Sequence, residues 1–248
     1  MWRKVVVSLG VALWVGVFAM PPAAAELVYF NDFEAGQTTG FNTSQTSLTP
    51  LGNRRFLGEF GNGTVSLTLT NLPAHDLLTI SFDLFIIRSW DGNDLANGPD
   101  VWNLSVTGGP TLLNTTFTNS DFPVGTPVPQ PRRQAYPDVF PGGDNPARTG
   151  AAENNTLGYT FFFGSIGQLR EVDSVYNLSF TFEHTASSVV FNFSAFGLSP
   201  GIADESWGLD NVQVQGVLVP EPGAFVLLGL GALDLVGYAG SRGRKPVG

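Results

Sequence analysis

A turn-rich acidic segment at residues 89–100 carries the densest group of side chains that could bind a cation. Asp91, Asn93 and Asp94 offer carboxylate and amide oxygens, and Gly92 permits a sharp backbone turn among them. Calcium in proteins takes roughly six to eight oxygen ligands of this kind. The segment is not an EF-hand loop, because the glycine and the terminal glutamate of that motif are misplaced. We therefore expect Asp91, Asn93 and Asp94 to be metal ligands in a loop of another design.

Two tryptophans beside this segment suggest a second kind of binding. Trp90 and Trp102 could present flat apolar faces to a sugar ring, in loops of the kind where binding sites concentrate. A tryptophan at the end of an apolar strand also commonly packs in the protein core. Trp90 and Trp102 are therefore candidate ligand-binding residues, with a core role as the alternative.

Groups for nucleophilic or acid–base catalysis are sparse. The chain has no Gly-x-Ser-x-Gly motif, and neither His75 nor His184 is flanked by residues that would identify a catalytic triad. Cysteine is absent, which excludes thiol nucleophiles, disulfides and thiolate metal sites. We predict no catalytic residue and a non-enzymatic protein.

One run of residues supports an enzymatic alternative. Residues 171–176 resemble the laminarinase-type glycosidase pattern Glu-x-Asp-x-x-Glu, in which alternate strand residues present the nucleophile and the acid. Glu171 and Asp173 match it, but Tyr176 stands where the general acid is required. The alternative function is a polysaccharide-active hydrolase that uses these two acids or the loop around Asp91.

The pattern between residues 26 and 218 predicts an all-β domain. Residues 64–70 alternate polar and apolar side chains at period two, as a half-buried strand requires. Residues 77–87 are apolar on both faces, so this strand should lie centrally. About nine or ten short strands separated by Gly, Asn, Asp and Pro favour an antiparallel β-sandwich of jelly-roll type.

A long segment at residues 119–153 interrupts the strand pattern. It contains seven prolines and four glycines, and we expect a large surface loop laid over the sandwich. Arg132, Arg133 and Arg148 lie in it. They could contact an anionic partner, but ion pairs with nearby acids are the more common role for such arginines.

Two short motifs at the ends of the domain carry a further resemblance. Phe33-Glu34 follows the first predicted strand, and Asp210-Asn211-Val212 lies in the last. The pair is similar to extracellular jelly rolls of the galactose-binding, carbohydrate-module kind, in which such motifs lie on neighbouring strands around a structural calcium ion. The resemblance implies that Glu34 and Asp210 supply carboxylate oxygens to Ca²⁺. Turn and cap roles for these acids are the alternative.

The charge balance excludes nucleic acid as a partner. Residues 26–219 hold seven arginines and no lysine against 19 acidic residues, a formal charge of −12. Binding to phosphate backbones depends on clusters of basic residues that release counterions.

The N-terminus has the layout of a secretory signal peptide over residues 1–25. Arg3 and Lys4 precede an apolar run, and small residues follow it, with Ala23 and Ala25 at the positions that signal peptidase reads. The mature chain should begin at Glu26.

The C-terminus, residues 219–248, has three parts. Pro220, Glu221 and Pro222 precede a mostly apolar stretch at 224–239, which predicts one transmembrane helix, and a short basic end follows. This arrangement resembles a PEP-CTERM sorting tail. The resemblance implies transient anchoring in the inner membrane of a Gram-negative bacterium, processing by an exosortase, and release to the cell surface or extracellular matrix, commonly alongside exopolysaccharide.

Together these features predict a secreted, non-enzymatic β-sandwich protein of the cell envelope or extracellular matrix, stabilised by Ca²⁺ and associated with polysaccharide. A hydrolase on the same scaffold and a ligand-free structural matrix protein are the alternatives.

Overall fold

The computed structural model describes residues 25–124 and 130–218, and these residues form strands and loops without a helix. The strands, in chain order, are β1 (Ala25–Asn31), β2 (Thr46–Leu48), β3 (Arg55–Phe60), β4 (Gly63–Thr70), β5 (His75–Arg88), β6 (Val101–Val106), β7 (Thr111–Thr116), β8 (Arg133–Gln134), β9 (Asn145–Pro146), β10 (Glu153–Asn154), β11 (Thr160–Phe163), β12 (Gln168–Glu171), β13 (Asp173–Glu183), β14 (Ser188–Phe196) and β15 (Glu205–Leu218). A search of these ranges finds no membrane-spanning helix, and the helix predicted over 224–239 lies outside them.

A seven-stranded antiparallel sheet forms one layer. Its order is β10-β13-β5-β15-β3-β2, and β1 also pairs with β15. Strand β5 lies between β13 and β15 and is paired along nearly its whole length. β5 is therefore a central strand of this sheet, as the sequence predicts for residues 77–87.

A four-stranded antiparallel sheet, in the order β4-β14-β6-β7, forms the second layer. Strand β4 shows the alternation that the sequence predicts, since Val65, Leu67 and Leu69 are buried and Ser66 and Thr68 between them are not. In β14, Val189, Phe191 and Phe193 repeat the pattern. A one-residue shift in either register would move these side chains to solvent.

The main core lies between the two sheets. Inward-facing residues of β5 and β15 pack against those of β4, β6 and β14 in one cluster. Phe82 meets Phe193 edge to face with ring centroids 5.4 Å apart, and Trp102 meets Trp207 in the same way at 6.0 Å. The all-β, jelly-roll-type sandwich that the sequence predicts is confirmed.

A second, smaller core lies on the outer face of the large sheet. Phe85 and Ile87 of β5 point away from the main core and are covered by Leu157 and Tyr159, which belong to the loop before β11. The sequence places these two strand residues on the face opposite the main apolar set, and this cluster explains why both faces of β5 are apolar.

The described parts of the segment at 119–153, residues 119–124 and 130–153, lie against the sandwich. Their backbone bonds to β7, with Tyr136 N–H donating to Thr116 O at 3.2 Å and Phe140 N–H to Asn114 O at 2.9 Å. The Tyr136 ring also packs on Phe117, at 5.1 Å between centroids. The three arginines in the segment pair internally: Arg132 with Asp91 and Asp94, Arg133 with Asp144, and Arg148 with Asp121.

Two aromatic residues of β14 test this account of the core. Phe193 is fully buried, whereas Phe196, three residues along the same strand, is 50% exposed. We expect Phe193→Ala to lower the free energy of unfolding by about 3–5 kcal/mol, because it removes a ring from between the sheets. Phe196→Ala should change it by less than about 0.5 kcal/mol. Equilibrium urea unfolding measures both, and equal losses would contradict the packing described.

Candidate functional site

An acidic cleft opens at one end of the sandwich, between the loop after β5, the hairpin β11–β12 and the loop before β15. Its volume is about 440 Å³. Its lining residues, which define the acidic cleft, are Ser89, Asp91, Asp94, Ala96, Asn97, Val124, Arg132, Phe161, Phe163, Gly164, Ser165, Ser199 and Asp204.

The chain reaches this cleft through a sharp turn after β5. Arg88 has a φ of 68° and ends the strand, and Gly92 has a φ of 66°. A Cβ at Gly92 would overlap the Arg133 carbonyl oxygen, so only glycine lets the two backbones approach this closely. The approach allows Asn93 N–H to donate to Arg133 O at 2.8 Å, which fixes the acidic loop against the segment at 119–153.

Arg132 supplies the positive charge in the cleft. Its Nε lies 3.1 Å from Asp91 Oδ1, and its Nη1 forms a second ion pair with Asp94. The arginine side chain is largely buried, as is that of Asp91. Ion pairs of this kind fix the loop, because leaving either charge unpaired in a buried place costs several kcal/mol.

A carboxylate cluster lies beside the cleft and consists of Asp91, Asp100 and Glu205. Each residue offers one oxygen, and the three oxygens lie within 4.8 Å of one another. Asp100 Oδ2 accepts the Asp91 backbone N–H, and Glu205 Oε2 accepts the Ser199 N–H at 2.5 Å. Asp100 Oδ1 is buried and has no hydrogen-bond partner. All three residues are buried, and Asp100 and Glu205 do not line the cleft.

Burial raises the pKa of all three carboxyl groups. For Asp100, burial is the main cause and the charge of Glu205 the second. The pKa of Glu205 is raised by burial and by the charges of Asp91 and Asp204. Burial raises the pKa of Asp91 to about 6, against the lowering effect of Arg132. Without another positive charge, the cluster therefore holds protons at neutral pH.

Aromatic side chains form the opposite wall of the cleft. Phe161 and Phe163 come from β11, with ring centroids 5.0 Å apart, and Phe163 packs edge to face on Phe122 at 4.9 Å. Between them, Phe162 points the other way and is 59% exposed. These phenylalanines were not predicted as site residues, although the run Phe161–Phe163 in a chain with alternating strands was a usable signal.

The predicted sugar-stacking role of Trp90 and Trp102 is wrong. Both residues are completely buried. Trp90 Nε1 donates to the Ser206 carbonyl at 2.8 Å, and Trp102 packs between the sheets. A strand end next to a loop still faces the core on one side, and both indoles lie on that side.

The three predicted metal ligands of the acidic loop contact different groups and do not converge on one point. Asp91 belongs to the carboxylate cluster. Asn93 instead bonds across the loop, with Nδ2 donating to Gly143 O at 3.1 Å and Oδ1 accepting from Thr116 Oγ1 at 2.5 Å. Asp94 pairs with Arg132 and accepts the Ala96 N–H at 2.7 Å. The cluster thus contains two acids, Asp100 and Glu205, that the sequence analysis did not assign to a cation.

Glu34 and Asp210 contact neighbouring residues at the start of β3. Glu34 is exposed, and its Oε1 accepts the Arg55 N–H at 3.0 Å. Asp210 Oδ2 lies 3.4 Å from Arg54 Nη2, and the same guanidinium lies 3.6 Å from Asp83 and 3.2 Å from Glu153. The structure therefore supplies Asp210 with an arginine as its counter-ion, and these contacts give no support to calcium at this pair.

The acids of the glycosidase-like run do not form a pair on one face. Asp173 is buried, and its carboxylate accepts the N–H groups of Leu157 at 3.1 Å and Tyr159 at 3.0 Å. Glu171 is exposed at the end of the hairpin β11–β12. Asp173 thus holds the loop of the second core, a structural role.

The two histidines meet where β5 begins and β13 ends. This is the opposite end of β5 from the acidic loop. His75 Nε2 lies 2.7 Å from His184 Nδ1, and the rings stack at 5.0 Å. Burial and the neighbouring His75 lower the pKa of His184.

The C-terminal residues of this chain match a known sorting motif. Residues 218–245 match the PEP-CTERM protein-sorting motif, which indicates export and a cell-surface or extracellular location. This range contains Pro220, Glu221 and Pro222, which lie outside the described residues, as does Ala23. Ala25, the other predicted signal peptidase position, begins β1 opposite Val217.

This chain is distantly similar to solved structures of other proteins. A carbohydrate-binding module of lichenase 5A from Cellvibrio mixtus, solved with cellotriose, is 14% identical, with a TM-score of 0.33, over 76% of this chain and 97% of that one. The catalytic domain of Agl-KA is 11% identical, with a TM-score of 0.25, over 79% of this chain and 25% of that one. No curated protein matches the sequence.

The raised pKa values of the carboxylate cluster predict how stability depends on pH. A carboxyl group with a higher pKa in the folded state stabilises the fold while it is protonated, and that contribution is lost as pH rises through the folded-state pKa. With a chelator present, we expect the melting temperature to fall from about pH 5 to about pH 9, by about 2–4 °C per pH unit for each carboxyl group that is protonated in the folded state and ionised in the unfolded chain.

Asp100→Asn should make this slope smaller, because an amide cannot titrate. Asp144→Asn, which changes an acid with 76% of its side chain exposed, is the control and should keep the wild-type slope. Thermal unfolding followed by circular dichroism measures all three proteins. An unchanged slope in Asp100→Asn would show that the cluster does not titrate in this range.

Proposed function

We propose that this exported chain is a non-enzymatic protein of the cell surface or extracellular matrix that binds a neutral polysaccharide in the acidic cleft. The cleft is the observation that carries this proposal, because it places hydrogen-bonding side chains opposite an aromatic wall. Its volume of about 440 Å³ lies within the usual range for small-ligand sites.

The polar side of the cleft suits sugar hydroxyl groups. Carboxylates accept hydrogen bonds from hydroxyls, and the amide and hydroxyl side chains of Asn97, Ser165 and Ser199 can both donate and accept. The rings of Phe161 and Phe163 give the apolar surface against which the C–H face of a sugar ring packs. A polysaccharide offers both kinds of group on each residue.

The charge of the cleft favours a neutral polymer over an acidic one. Asp91, Asp94 and Asp204 line it together with one arginine, Arg132. An anionic sugar would meet uncompensated negative charge there, and the domain as a whole repels anions as well.

The arrangement of the acids favours binding over hydrolysis. Glycosidases need two carboxyl groups that both reach the scissile bond, one as acid and one as nucleophile or base. Here Arg132 pairs with two of the acids that line the cleft, while Asp100 and Glu205 lie behind them. Glu171 and Asp173 are not a pair, as described above.

The proposal also includes the steps by which the chain is exported and processed. Signal peptidase removes residues 1–25, the apolar stretch at 224–239 holds the chain in the inner membrane, and an exosortase acts at the motif around Glu221. Proline lacks a backbone N–H and disfavours a helical conformation in the residue before it, so the sequence Pro220-Glu221-Pro222 suits a protease substrate.

Glycan retention tests the binding role. The full-length chain should be retained by at least one neutral polysaccharide in an affinity gel or array, and less by polymers of uronic acids. Asn97→Ala combined with Ser165→Ala should weaken retention about tenfold, since two hydrogen bonds are worth roughly 1.4 kcal/mol or more together. Phe162→Ala is the matched control, because its ring faces away from the cleft.

Two results would contradict this function. If no polysaccharide retains the protein, the ligand-free structural alternative gains. If reducing ends are released and Glu171→Gln abolishes the release, the protein is a hydrolase.

The mass of the exported protein tests the sorting steps separately. Intact-mass spectrometry should find a chain that begins at Glu26 and lacks the stretch at 224–239. A Glu221→Ala variant should keep that stretch and remain with the membrane. An exported wild-type protein that retains residues 224–239 would contradict processing by an exosortase.

A further inference from the structure

We propose that Asp91, Asp100 and Glu205 bind a divalent cation of the calcium class, and that this ion joins the two sheets of the sandwich beside the acidic cleft. The proposal concerns stability and cation binding, so it does not depend on which ligand enters the cleft.

The spacing of the oxygens fits one ion. The three carboxylate oxygens lie within 4.8 Å of one another. Three oxygens this close fit within a circle of radius about 2.8 Å at most, and calcium–oxygen bonds are about 2.3–2.6 Å long, so shifts of a few tenths of an ångström in the side chains bring all three into contact with a single ion. Every donor in the set is an oxygen, which favours a hard cation such as Ca²⁺ over zinc or copper, because those ions prefer nitrogen and sulfur.

One oxygen of the cluster lacks a partner. Asp100 is completely buried, and its Oδ2 accepts the Asp91 N–H, while Oδ1 has no hydrogen-bond partner in the part of the chain that the structure describes. A buried carboxylate oxygen left without a partner is costly, and native proteins rarely contain one without a bound water or ion. A cation bound among the three acids satisfies this oxygen.

The side chains of the described residues do not balance the negative charge near the cluster. Arg132 is the basic residue whose charge acts on both Asp91 and Glu205, and it is shared with Asp94. A fourth acid, Asp204, lies close enough to act on all three members of the cluster. A divalent ion would offset this excess of negative charge.

The cluster spans both layers of the fold. Asp91 follows β5 and Glu205 is the first residue of β15, and these two strands belong to the seven-stranded sheet. Asp100 directly precedes β6, which belongs to the four-stranded sheet. An ion held by all three acids therefore links the layers at the cleft end, where the loop that carries Asp91 and Asp94 begins.

Thermal unfolding of the full-length chain in mild detergent tests the proposal. The protein is freed of metal with EDTA, dialysed, and melted with no metal, with 1 mM Ca²⁺ and with 1 mM Mg²⁺, at about pH 7.5. If the dissociation constant is about 10 µM, Ca²⁺ should raise the melting temperature by about 5–10 °C. Mg²⁺ should raise it less, because magnesium loses its water ligands reluctantly.

The variant Asp100→Asn distinguishes a cluster that binds a cation from one whose acids are only protonated. The amide keeps the shape of the side chain and can still accept the Asp91 N–H, but it removes a charged ligand. Without metal, the variant should melt at or above the wild-type temperature, and Ca²⁺ should raise its melting temperature by less than about 2 °C. The double variant Glu34→Gln, Asp210→Asn is the control and should keep the full calcium response.

A direct measurement covers the case in which Asp100→Asn does not fold. Terbium(III) replaces calcium, and its luminescence is excited through a nearby tryptophan. Trp90 precedes Asp91 and bonds to the carbonyl of Ser206, which follows Glu205, so it lies beside the cluster. Wild-type protein should show sensitised emission that Ca²⁺ displaces, and Glu205→Gln should lose it.

Three results would overturn the proposal: a wild-type melting temperature that Ca²⁺ does not change, a calcium response that Asp100→Asn retains in full, or a response lost only in the Glu34→Gln, Asp210→Asn control. The last result would place the ion at the start of β3.

Discussion

Burial of negative charge is the constraint on which this end of the molecule depends. Asp91, Asp100 and Glu205 are withdrawn from water between two sheets, and an uncompensated ion in such a place costs several kcal/mol. Arg132 offsets only part of that cost, because it also forms an ion pair with Asp94. Protons or a cation must supply the rest, and the choice between them sets both the pH dependence and the metal dependence of the fold.

The core of the sandwich determines where these acids lie. Strands β5 and β15 are the longest in the described residues, and their inward side chains are fixed by packing against β14 and β6. Asp91 and Glu205 are placed just beyond or at the ends of these two strands. A side chain at the end of a well-packed strand has little freedom to move, so the acids cannot separate to relieve their repulsion without disturbing the core.

The sequence predicts the strands better than it predicts the site. Period-two alternation is a local signal, and it identifies β4, β13 and β14 because one face of each is largely buried. Strand β3, which contains Gly58, and the short hairpin strand β12, which is exposed throughout, lack that signal and were not predicted. The internal pairing of Arg132, Arg133 and Arg148 is anticipated from the acidic composition around them.

The site depends on residues that are distant in sequence, which no local pattern reveals. Asp100 looks like the end of an acidic loop, and Glu205 like a turn residue before the last strand, until the packing of the two sheets brings β6 and β15 together. Trp90 and Trp102 show the opposite error. Their position beside a polar loop suggests exposure, but the burial of an indole is decided by the facing sheet, as the contact of Trp102 with Trp207 shows.

The two clusters of acids in this domain illustrate two solutions to the same electrostatic problem. On the outer face of the large sheet, Arg54 pairs with Asp83, Glu153 and Asp210, and it also lies over the Phe85 ring at 4.8 Å. Planar guanidinium groups suit such shared pairing at a partly exposed surface. At the carboxylate cluster, Arg132 is already shared between Asp91 and Asp94, and the divalent ion that we propose would supply the positive charge that Arg54 supplies on the outer face. In a chain without cysteine, such an ion would also provide the cross-link between layers that a disulfide provides in other secreted domains.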